Sequence, residues 1–281
     1  MTAPIIRTRA ALTERVNTWK SDGARLGVVL TMGALHDGHL SLVAAAKSAC
    51  DRVIVTIFVN PKQFNNPADL QNYPRTEHDD AVKLSSFAVD AIYVPDPDQI
   101  YPDGFATNIS VAGVSAGLCG AHRPGHFDGV ATVVAKLLLQ TGADCTFFGE
   151  KDYQQVQVVK RLVRDLDIPC EIIGCDTVRD PDGMALSSRN ALLSPQDRGA
   201  AAVIYQVLRQ IRDQLSSGED MAASFAQGRA EILAAGFQEV EYLELRDEAH
   251  FQPTAALTGP SRLLIAARIG GVRLIDNIAV S

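Results

Sequence analysis

The sequence lacks a long apolar run and an excess of basic residues. No stretch approaches the ~18 apolar residues that a membrane-spanning helix requires, and residues 1–9 contain no long apolar signal segment. Lysine and arginine number 26 against 33 aspartate and glutamate, which gives a formal net charge of −7. Broad binding to a nucleic-acid backbone needs the opposite balance. We therefore expect a cytoplasmic protein that binds neither a membrane nor nucleic acid.

The chain also lacks the cysteine spacing of a metal or disulfide site. Its five cysteines are an odd number, contain no C-x-x-C pair and lie mostly in apolar segments, so buried free thiols are expected. No Ser/His/Asp triad, internal repeat or low-complexity tract is apparent. With 281 residues, 47% of them hydrophobic and 21% charged, the chain is long enough for two modest globular domains.

The most informative stretch is residues 27–50, where a β-branched run is followed by a polar segment and then by apolar residues at helical spacing. This pattern predicts a buried parallel strand over 27–32, a tight turn and a helix over 39–50. We expect the turn to point backbone N–H groups at solvent. A helix N-terminus with such groups attracts phosphate.

Two glycines and two histidines occupy that turn. Gly33 and Gly38 carry no side chain that would block a nucleotide, and His36 and His39 can donate hydrogen bonds to phosphate oxygens. The turn therefore suggests a site that stabilises a leaving polyphosphate. Two alternatives stay open: the histidines form a metal-binding pair, or the segment is only a polar turn. Zinc is less favoured because no set of nearby ligands completes a tetrahedral site, although a distant ligand would change this.

Polar residues also follow the strand predicted over 52–60. Ligands of open α/β sheets bind beyond the carboxyl ends of strands, which makes Asn60 and Gln63 candidates for holding a polar substrate. A structural Asn-Pro turn is the alternative. Further along, Arg123 precedes a helix predicted over 129–139, and its guanidinium suits paired hydrogen bonds to a phosphate or carboxylate.

The same order of strand, glycine, polar residues and helix recurs after the strand predicted over 144–148. Lys151 suits a phosphate, Asp152 suits a helix cap, and Gln155 lies one turn into the helix. A surface lysine beside a capping aspartate is the alternative explanation. Two such turns at one edge of one sheet favour a shared site.

The helix predicted over 76–88 begins with several acidic residues. Compensation of the helix dipole is the simplest explanation of them. A contact of Asp79 or Asp80 with Mg²⁺ is the alternative.

These elements predict an α/β fold, with a Rossmann-like parallel sheet and flanking helices over residues 1–176 and a smaller α+β domain over 177–281. The larger domain is expected to bind a nucleotide and a small polar substrate at the strand ends described above. The remaining predicted elements are helices over 8–22, 194–216 and 220–235, and strands over 90–94, 171–174, 239–245, 262–269 and 272–279, the last two joined at Gly270 and Gly271.

The smaller domain opens with residues 178–190, which carry adjacent hydroxyls and a cation at Ser187, Ser188 and Arg189. As an isolated motif this triplet is weak. We expect the segment to close over a triphosphate, with Gly183 available as a hinge. The smaller domain is then a lid over the bound triphosphate.

In this order, the motifs resemble the pantothenate synthetase (pantoate:beta-alanine ligase) family of the HxGH nucleotidyltransferase superfamily, which is related to class I aminoacyl-tRNA synthetases. The resemblance spans nearly the whole chain. HxGH is shared across the superfamily, whereas FVNPKQF, RPGHF and FGEKDYQQ together are specific to this family. The matching segments are TMGALHDGH (31–39), FVNPKQF (58–64), YPRT (73–76), RPGHF (123–127), FGEKDYQQ (148–155), LSSRN (186–190) and RLIDN (273–277).

The resemblance implies a ligase that condenses (R)-pantoate with β-alanine through a pantoyl adenylate, with ATP as co-substrate, release of pyrophosphate and AMP, Mg²⁺ with unknown ligands, and usually a homodimer. It implies catalytic roles for His39, His36 and Lys151, and pantoate binding in the larger domain by Gln63 and Gln155. The ATP contacts that it implies are Met32, Gly33, Ala34, Leu35, His36, Asp37, Gly38, His39, Gly149, Glu150, Lys151, Asp152, Val178, Leu186, Ser187, Ser188 and Arg189.

Two other functions compete with this one. An enzyme that uses the same site but releases an adenylylated product would form no amide. A catalytically inactive nucleotide-binding protein is disfavoured, because every polar motif of the expected site is present.

Overall fold

The computed structural model describes residues 3–281, which divide into two compact units. The first comprises the chain up to Ala116 together with Arg123–Glu150 and Gln154–Asp176. The second comprises Gly117–His122, Lys151–Tyr153 and Thr177–Ser281. Two short segments that the sequence analysis assigns to the larger domain therefore group with the smaller one, and one of them contains Lys151.

The first unit is built on a six-stranded sheet in which every neighbouring pair is parallel, in the order β1-β4-β3-β2-β5-β6. The strand order reverses between β2 and β5, the position where sheets of this kind bind ligands. The predicted Rossmann-like sheet is confirmed, with one short edge strand, β1, that the sequence analysis did not predict. The strands are β1 (Ile5–Ile6), β2 (Leu26–Thr31), β3 (Arg52–Ile57), β4 (Ala91–Tyr93), β5 (Cys145–Gly149) and β6 (Glu171–Cys175).

The central strands are almost continuously apolar because helices cover both faces of a parallel sheet. Val29, Val55 and Ile92 are fully buried in this core. The longest helix begins three residues before its predicted start, since Gly125 adopts a left-handed backbone that ends the preceding turn. The helices up to β6 are α1 (Arg9–Ser21), α2 (Asp37–Ala49), α3 (Pro67–Gln71), α4 (Glu77–Ser85), α5 (Pro97–Ile100), α6 (Leu118–His122), α7 (His126–Thr141) and α8 (Tyr153–Asp165).

The second unit packs helices on a three-stranded antiparallel sheet, with a core that includes Leu208, Ile211 and Ile265. Gly270 and Gly271 both have positive φ, as a two-residue hairpin turn requires, so the predicted hairpin is confirmed. The helix predicted over 194–216 is interrupted at Ala202, whose backbone stays near helical values. The elements are α9 (Pro195–Ala201), α10 (Val203–Ser216), α11 (Met221–Ala234), β7 (Glu239–Asp247), β8 (Ser261–Ile269) and β9 (Val272–Val280).

Within the described part of the chain, no helix is both long enough and apolar enough to cross a membrane.

Candidate active site

The turn after β2 has an unusual backbone. Gly33 and Ala34 both have positive φ, +84° and +52°. The left-handed region is unfavourable for alanine by about 1–2 kcal/mol, so other contacts must hold Ala34 there. Thr31 stabilises the start of the turn, because its hydroxyl donates to the carbonyl of Thr56 (2.7 Å) and accepts from the N–H of Gly33 (3.1 Å).

Asp80, from α4, holds the rest of the turn. Its carboxylate is fully buried and accepts hydrogen bonds from the backbone N–H groups of Ala34 (2.9 Å) and Leu35 (2.8 Å) and from the hydroxyl of Thr76 (3.1 Å). The expectation that this turn points its N–H groups at solvent is therefore wrong for Gly33, Ala34 and Leu35.

Sequence reasoning missed this role of Asp80 and considered only dipole compensation or a metal contact. A signal was present, because Asp80 is spaced four residues before Leu84 and so lies on the buried face of α4. Its neighbour Asp79 is exposed. An acid on the apolar face of a helix needs nearby donors, and the turn supplies them.

The side chains of His36 and His39 together cap the N-terminus of α2. The Nδ1 atom of His36 accepts from the N–H of Gly38 (3.1 Å), and the Nδ1 atom of His39 accepts from the N–H of His36 (3.4 Å). The two ring centroids are 4.2 Å apart. Because Nδ1 is the acceptor in both rings, the hydrogen bonds assign the proton of each neutral imidazole to Nε2. Each ring can thus act as an Nε2–H donor, the role that the sequence analysis predicts.

The turn after β3 presents Gln63. The side-chain amide of Asn60 donates to Gln63 Oε1 (2.9 Å) and to the carbonyl of Gly129 (3.1 Å), and its oxygen accepts from the hydroxyl of Tyr101 (2.7 Å) and the N–H of Lys62 (3.3 Å). The hydrogen-bonding groups of Asn60, which is almost fully buried, are thus engaged within the chain. Since Gln63 Oε1 accepts from Asn60, the Nε2 amide of Gln63 is left as the donor for a ligand.

Gly129, in α7, lets the Gln63 turn come close to this helix. A Cβ at this position would lie 2.4 Å from the carbonyl oxygen of Lys62 and 2.8 Å from the backbone nitrogen of Gln63. The sequence predicts Gly129 at the start of a helix but carries no local signal of this close approach.

The side chains of Arg123 and His126 both hydrogen-bond to the backbone carbonyl of Gln63. Nδ1 of His126 donates to the Gln63 carbonyl (2.9 Å), so Nε2 accepts from Arg123 Nη1 (3.0 Å), and Arg123 Nη2 donates to the same carbonyl (3.2 Å). His126 is therefore neutral in this arrangement. The pairing of Arg123 with a ligand phosphate or carboxylate stays a prediction.

The segment after β5 continues from Gly149, where an added Cβ would meet nothing within 4 Å. The carboxylate of Glu150 lies against Gly174 of β6, 2.8 Å from the position that a Cβ would take there. The amino group of Lys151 is 3.8 Å from a carboxylate oxygen of Asp152. Gln155 lies half-buried in the first turn of α8.

In the second unit, residues 178–186 form a short hairpin. The N–H of Leu186 donates to the carbonyl of Val178 (3.0 Å), and the N–H of Asp180 donates to the carbonyl of Met184 (2.9 Å). Gly183 lies in its turn with φ +93°, and a Cβ there would lie 2.3 Å from the ring of Tyr205. The turn is therefore packed against α10, and a hinge at Gly183 stays a prediction.

The hairpin leads directly into the hydroxyl-rich triplet. Ser187 caps a short 3₁₀ helix over Ser188–Leu192, and its Oγ accepts from the N–H of Arg189 (3.3 Å). Ser187, Ser188 and Arg189 are all half-buried. Their contact with ATP stays a prediction.

The cysteines take no part in these arrangements as nucleophiles. All five are free thiols. Burial raises the pKa of Cys170 to about 12, and burial together with the hydrogen bond to Cys145 raises the pKa of Cys50 to about 12. Such thiols are protonated at neutral pH. The expectation of buried free thiols is confirmed for Cys119, Cys145 and Cys170, whereas Cys50 and Cys175 are only half-buried.

Comparison with known proteins gives one family. The family model described as pantoate-beta-alanine ligase matches residues 4–279. The chain is 60% identical over 281 residues to the pantothenate synthetase of Chelativorans sp. (strain BNC1), covering 100% of this chain and 99% of the relative. It is 58% identical over 280 residues to that of Roseobacter denitrificans, with coverage of 100% and 99%.

Solved structures agree. The crystal structure of pantothenate synthetase from Thermus thermophilus superposes with a TM-score of 0.92 at 40% identity, over 98% of each chain. The pantoate-beta-alanine ligase from Francisella tularensis, complexed with beta-gamma ATP and beta-alanine, superposes with a TM-score of 0.85 at 39% identity, over 98% of this chain and 97% of that one.

Proposed function

This chain belongs to the pantoate-beta-alanine ligase family, and we propose that it condenses (R)-pantoate with β-alanine at the expense of ATP, through a pantoyl adenylate. The full-length match to pantothenate synthetases carries this proposal. A carboxylate oxygen of pantoate attacks the α-phosphorus of ATP and pyrophosphate leaves. The amine of β-alanine then attacks the acyl carbon, AMP leaves with the bonding electrons, and the amine loses a proton.

The residues of the first unit support the adenylation step. Charge on the phosphates grows as pyrophosphate leaves, and fixed donors that stabilise such charge are among the largest sources of catalysis. The Nε2–H groups of His36 and His39 are donors of this kind, beside the reversal point of the sheet. Lys151 and the Ser187–Arg189 triplet are assigned to the same phosphates.

Mg²⁺ is assigned to the nucleotide rather than to a protein cage. Among residues 3–281, no three histidine, cysteine or carboxylate side chains converge to hold a metal ion. Mg²⁺ is often held largely by substrate phosphates and water, which fits this chain. Bound there, it would neutralise phosphate charge.

Pantoate is assigned to Gln63 and Gln155, with Asn60 as a support of Gln63. Arg123 also supports Gln63 and stays a candidate for pairing with the pantoate carboxylate. Gln63 offers its amide N–H group to a carboxylate or hydroxyl oxygen of the acid. Replacing Gln63 or Gln155 by alanine should weaken pantoate binding with little change in ATP binding. Separate calorimetric titrations of the two ligands test this, and a variant that loses ATP affinity alone contradicts it.

The reaction is tested by exchange of labelled pyrophosphate into ATP. Exchange should require pantoate, and adding β-alanine should yield AMP and the amide in equal amounts. Exchange that proceeds without amide formation identifies the chain as a nucleotidyltransferase instead. ATP binding with no exchange at all identifies an inactive nucleotide-binding protein.

We also propose that the second unit acts as a lid over the adenylate. The chain is further proposed to work as a homodimer. Because the hairpin over 178–186 is packed on α10, the proposed closure moves the hairpin together with α10. Arg189→Ala should release more AMP per amide formed, because water reaches the adenylate. Unchanged coupling contradicts the lid, and light scattering at the mass of a single chain contradicts the homodimer.

A further inference from the structure

The dipeptide Asp276-Asn277 of β9 is buried, although a strand at the edge of a three-stranded sheet offers many exposed positions. Both residues belong to the RLIDN segment, to which the reaction proposed above gives no role. β9 pairs with β8 along its whole length, so its backbone is a rigid support.

Asp276 forms a two-pronged ion pair with Arg179. The Nη1 and Nη2 atoms of Arg179 lie 2.6 and 2.9 Å from the two carboxylate oxygens. The side chains are only 16% and 4% exposed, so the pair is shielded from solvent. Arg179 also donates to the carbonyls of Gly183 (3.0 Å) and Asn277 (3.2 Å), and its guanidinium lies 4.0 Å from the ring centre of Tyr205. Arg179 thereby fixes the hairpin to β9.

Asn277 reaches the other phosphate-binding candidate. Its Nδ2 donates to the backbone carbonyl of Lys151 (3.0 Å), and its Oδ1 accepts from Nη1 of Arg262 (3.1 Å). The guanidinium of Arg262 lies 3.9 Å from the ring centre of Tyr153, two residues after Lys151. The backbone N–H of Asn277 donates to Asp276 Oδ1 (2.7 Å), which joins the two residues in one network.

We infer that Asp276 and Asn277 are positioning residues that set the geometry between two phosphate-contacting segments, Lys151 and Ser187–Arg189. The inference rests on the proposed function for the identity of those segments. Asp276 holds one segment through Arg179, and the adjacent Asn277 holds the other through the Lys151 carbonyl. Because both residues lie on one rigid strand, the donors of the two segments are held in place before ATP binds. Such preorganisation lowers the cost of binding and of charge stabilisation.

Three variants in the full-length chain test this. Asp276→Asn keeps the size of the side chain and removes the charge that orients Arg179. Asn277→Asp replaces the Nδ2 donor with an oxygen that faces the Lys151 carbonyl. Arg179→Lys keeps the charge but loses the two-pronged geometry, and serves if Asp276→Asn fails to fold.

Glu241→Gln is the matched control. Glu241 is a buried carboxylate of the same sheet, with a side chain 3% exposed, and it pairs with Arg268 and Arg273, both at 2.7 Å. Removing its charge should destabilise the unit in the same way as Asp276→Asn, without disturbing either phosphate-contacting segment.

Three quantities are measured for each variant: the ATP affinity by calorimetry, the kinetics of pyrophosphate exchange and the free energy of unfolding. We expect Asp276→Asn and Arg179→Lys to weaken ATP binding roughly tenfold and Asn277→Asp to lower kcat for exchange roughly tenfold, with the KM of pantoate changed less than about twofold. Glu241→Gln should change none of these more than about twofold.

The outcomes separate the inference from the proposed function. If the variants lose stability as Glu241→Gln does but keep wild-type ATP affinity and kcat, the inference is overturned and the function stands. If the wild type binds ATP without exchange, the function fails, and ATP affinity alone still decides the inference. A wild type that does not bind ATP overturns both.

Discussion

Two segments predicted to meet ATP are each organised by a buried carboxylate from a distant element, but in different ways. In the first unit, Asp80 binds the backbone of the turn itself, through the N–H groups of Ala34 and Leu35. In the second, Asp276 binds the hairpin through a side chain, the guanidinium of Arg179. The first carboxylate uses up backbone donors, whereas the second leaves them untouched.

This difference shows where each segment carries its phosphate chemistry. N–H groups that already bind a carboxylate are not available to phosphate, so side-chain donors carry more of the phosphate binding at this turn. His36 and His39 supply them, with Nε2–H groups set by the caps of α2. In the hairpin region the side chains of Ser187–Arg189 stay candidates, although the backbone N–H of Arg189 already donates to Ser187 Oγ.

The largest effect should therefore come from His39. His39→Ala removes a side-chain donor from a turn that has few others, and we expect adenylation to slow by roughly 10²–10³-fold. Pyrophosphate exchange measures the rate, and circular dichroism checks the fold. The matched control is His78→Ala, at an exposed position of α4, and it should keep the wild-type rate of pyrophosphate exchange. A folded His39→Ala variant with near-normal exchange would falsify the role of this imidazole.

The sequence predicts the parts of this comparison better than their anchors. Strand β2, the turn histidines and the β8–β9 hairpin are all local patterns of period, glycine and capping, and the structure contains them. The Asp80 and Asp276 contacts join residues 46 and 97 positions apart, and no local pattern encodes them. The sequence places Gly33 in the turn correctly, but which N–H groups stay available depends on a carboxylate from another helix.

Asp80→Asn breaks the first half of the comparison. One of the two carboxylate oxygens becomes an NH₂ group that faces a backbone N–H donor, in a fully buried position. Leaving such a group unpaired costs about 1–3 kcal/mol. We expect the free energy of unfolding to fall by this amount and ATP affinity to fall with it.

Asp79→Asn is the matched control, since Asp79 is exposed on the same helix. Chemical denaturation and ATP calorimetry on both variants decide the matter. Equal effects at the two positions contradict the anchoring role, because they reduce it to the general charge of the helix.

Glycine substitutions compare how tightly the two segments are packed. Gly33 and Gly183 have similar φ, +84° and +93°, so alanine is strained at both. A Cβ at Gly33 would meet atoms at 3.1–3.2 Å, but at Gly183 it would lie 2.3 Å from the Tyr205 ring. Gly183→Ala should therefore cost about 1 kcal/mol more in stability than Gly33→Ala.

Gly218→Ala isolates the backbone strain in this comparison. Gly218 has φ +85° and nothing within 4 Å of an added Cβ. Urea denaturation should rank the losses as Gly183→Ala, Gly33→Ala and then Gly218→Ala. A Gly183→Ala loss no larger than that of Gly218→Ala means that the hairpin moves aside easily, which contradicts its tight packing.

The smallest expected effect is at Glu241, a second buried carboxylate that pairs with arginine as Asp276 does. It tests whether such a pair stabilises the fold through the charge of the carboxylate. Burial raises the pKa of Glu241. The opposite effect is larger: the pKa is lowered by the hydrogen bond and charge of Arg273 and by the charges of Arg268 and His122. The pKa therefore lies below its usual value of 4.5. A carboxyl with a lowered pKa in the folded state stabilises the fold fully above pH 4.5, and that contribution is lost as the pH falls through the folded pKa. The difference in Tm between wild type and Glu241→Gln should therefore be largest near neutral pH, at about 1–3 °C, and should shrink as the pH is lowered below about 4.5. Thermal unfolding of both chains from pH 6 down to about pH 3 measures this, and other carboxyl groups cancel because the two chains share them. A Tm difference that stays constant over this range would mean that the Glu241 pair acts through packing rather than charge, and it would remove the analogy with Asp276.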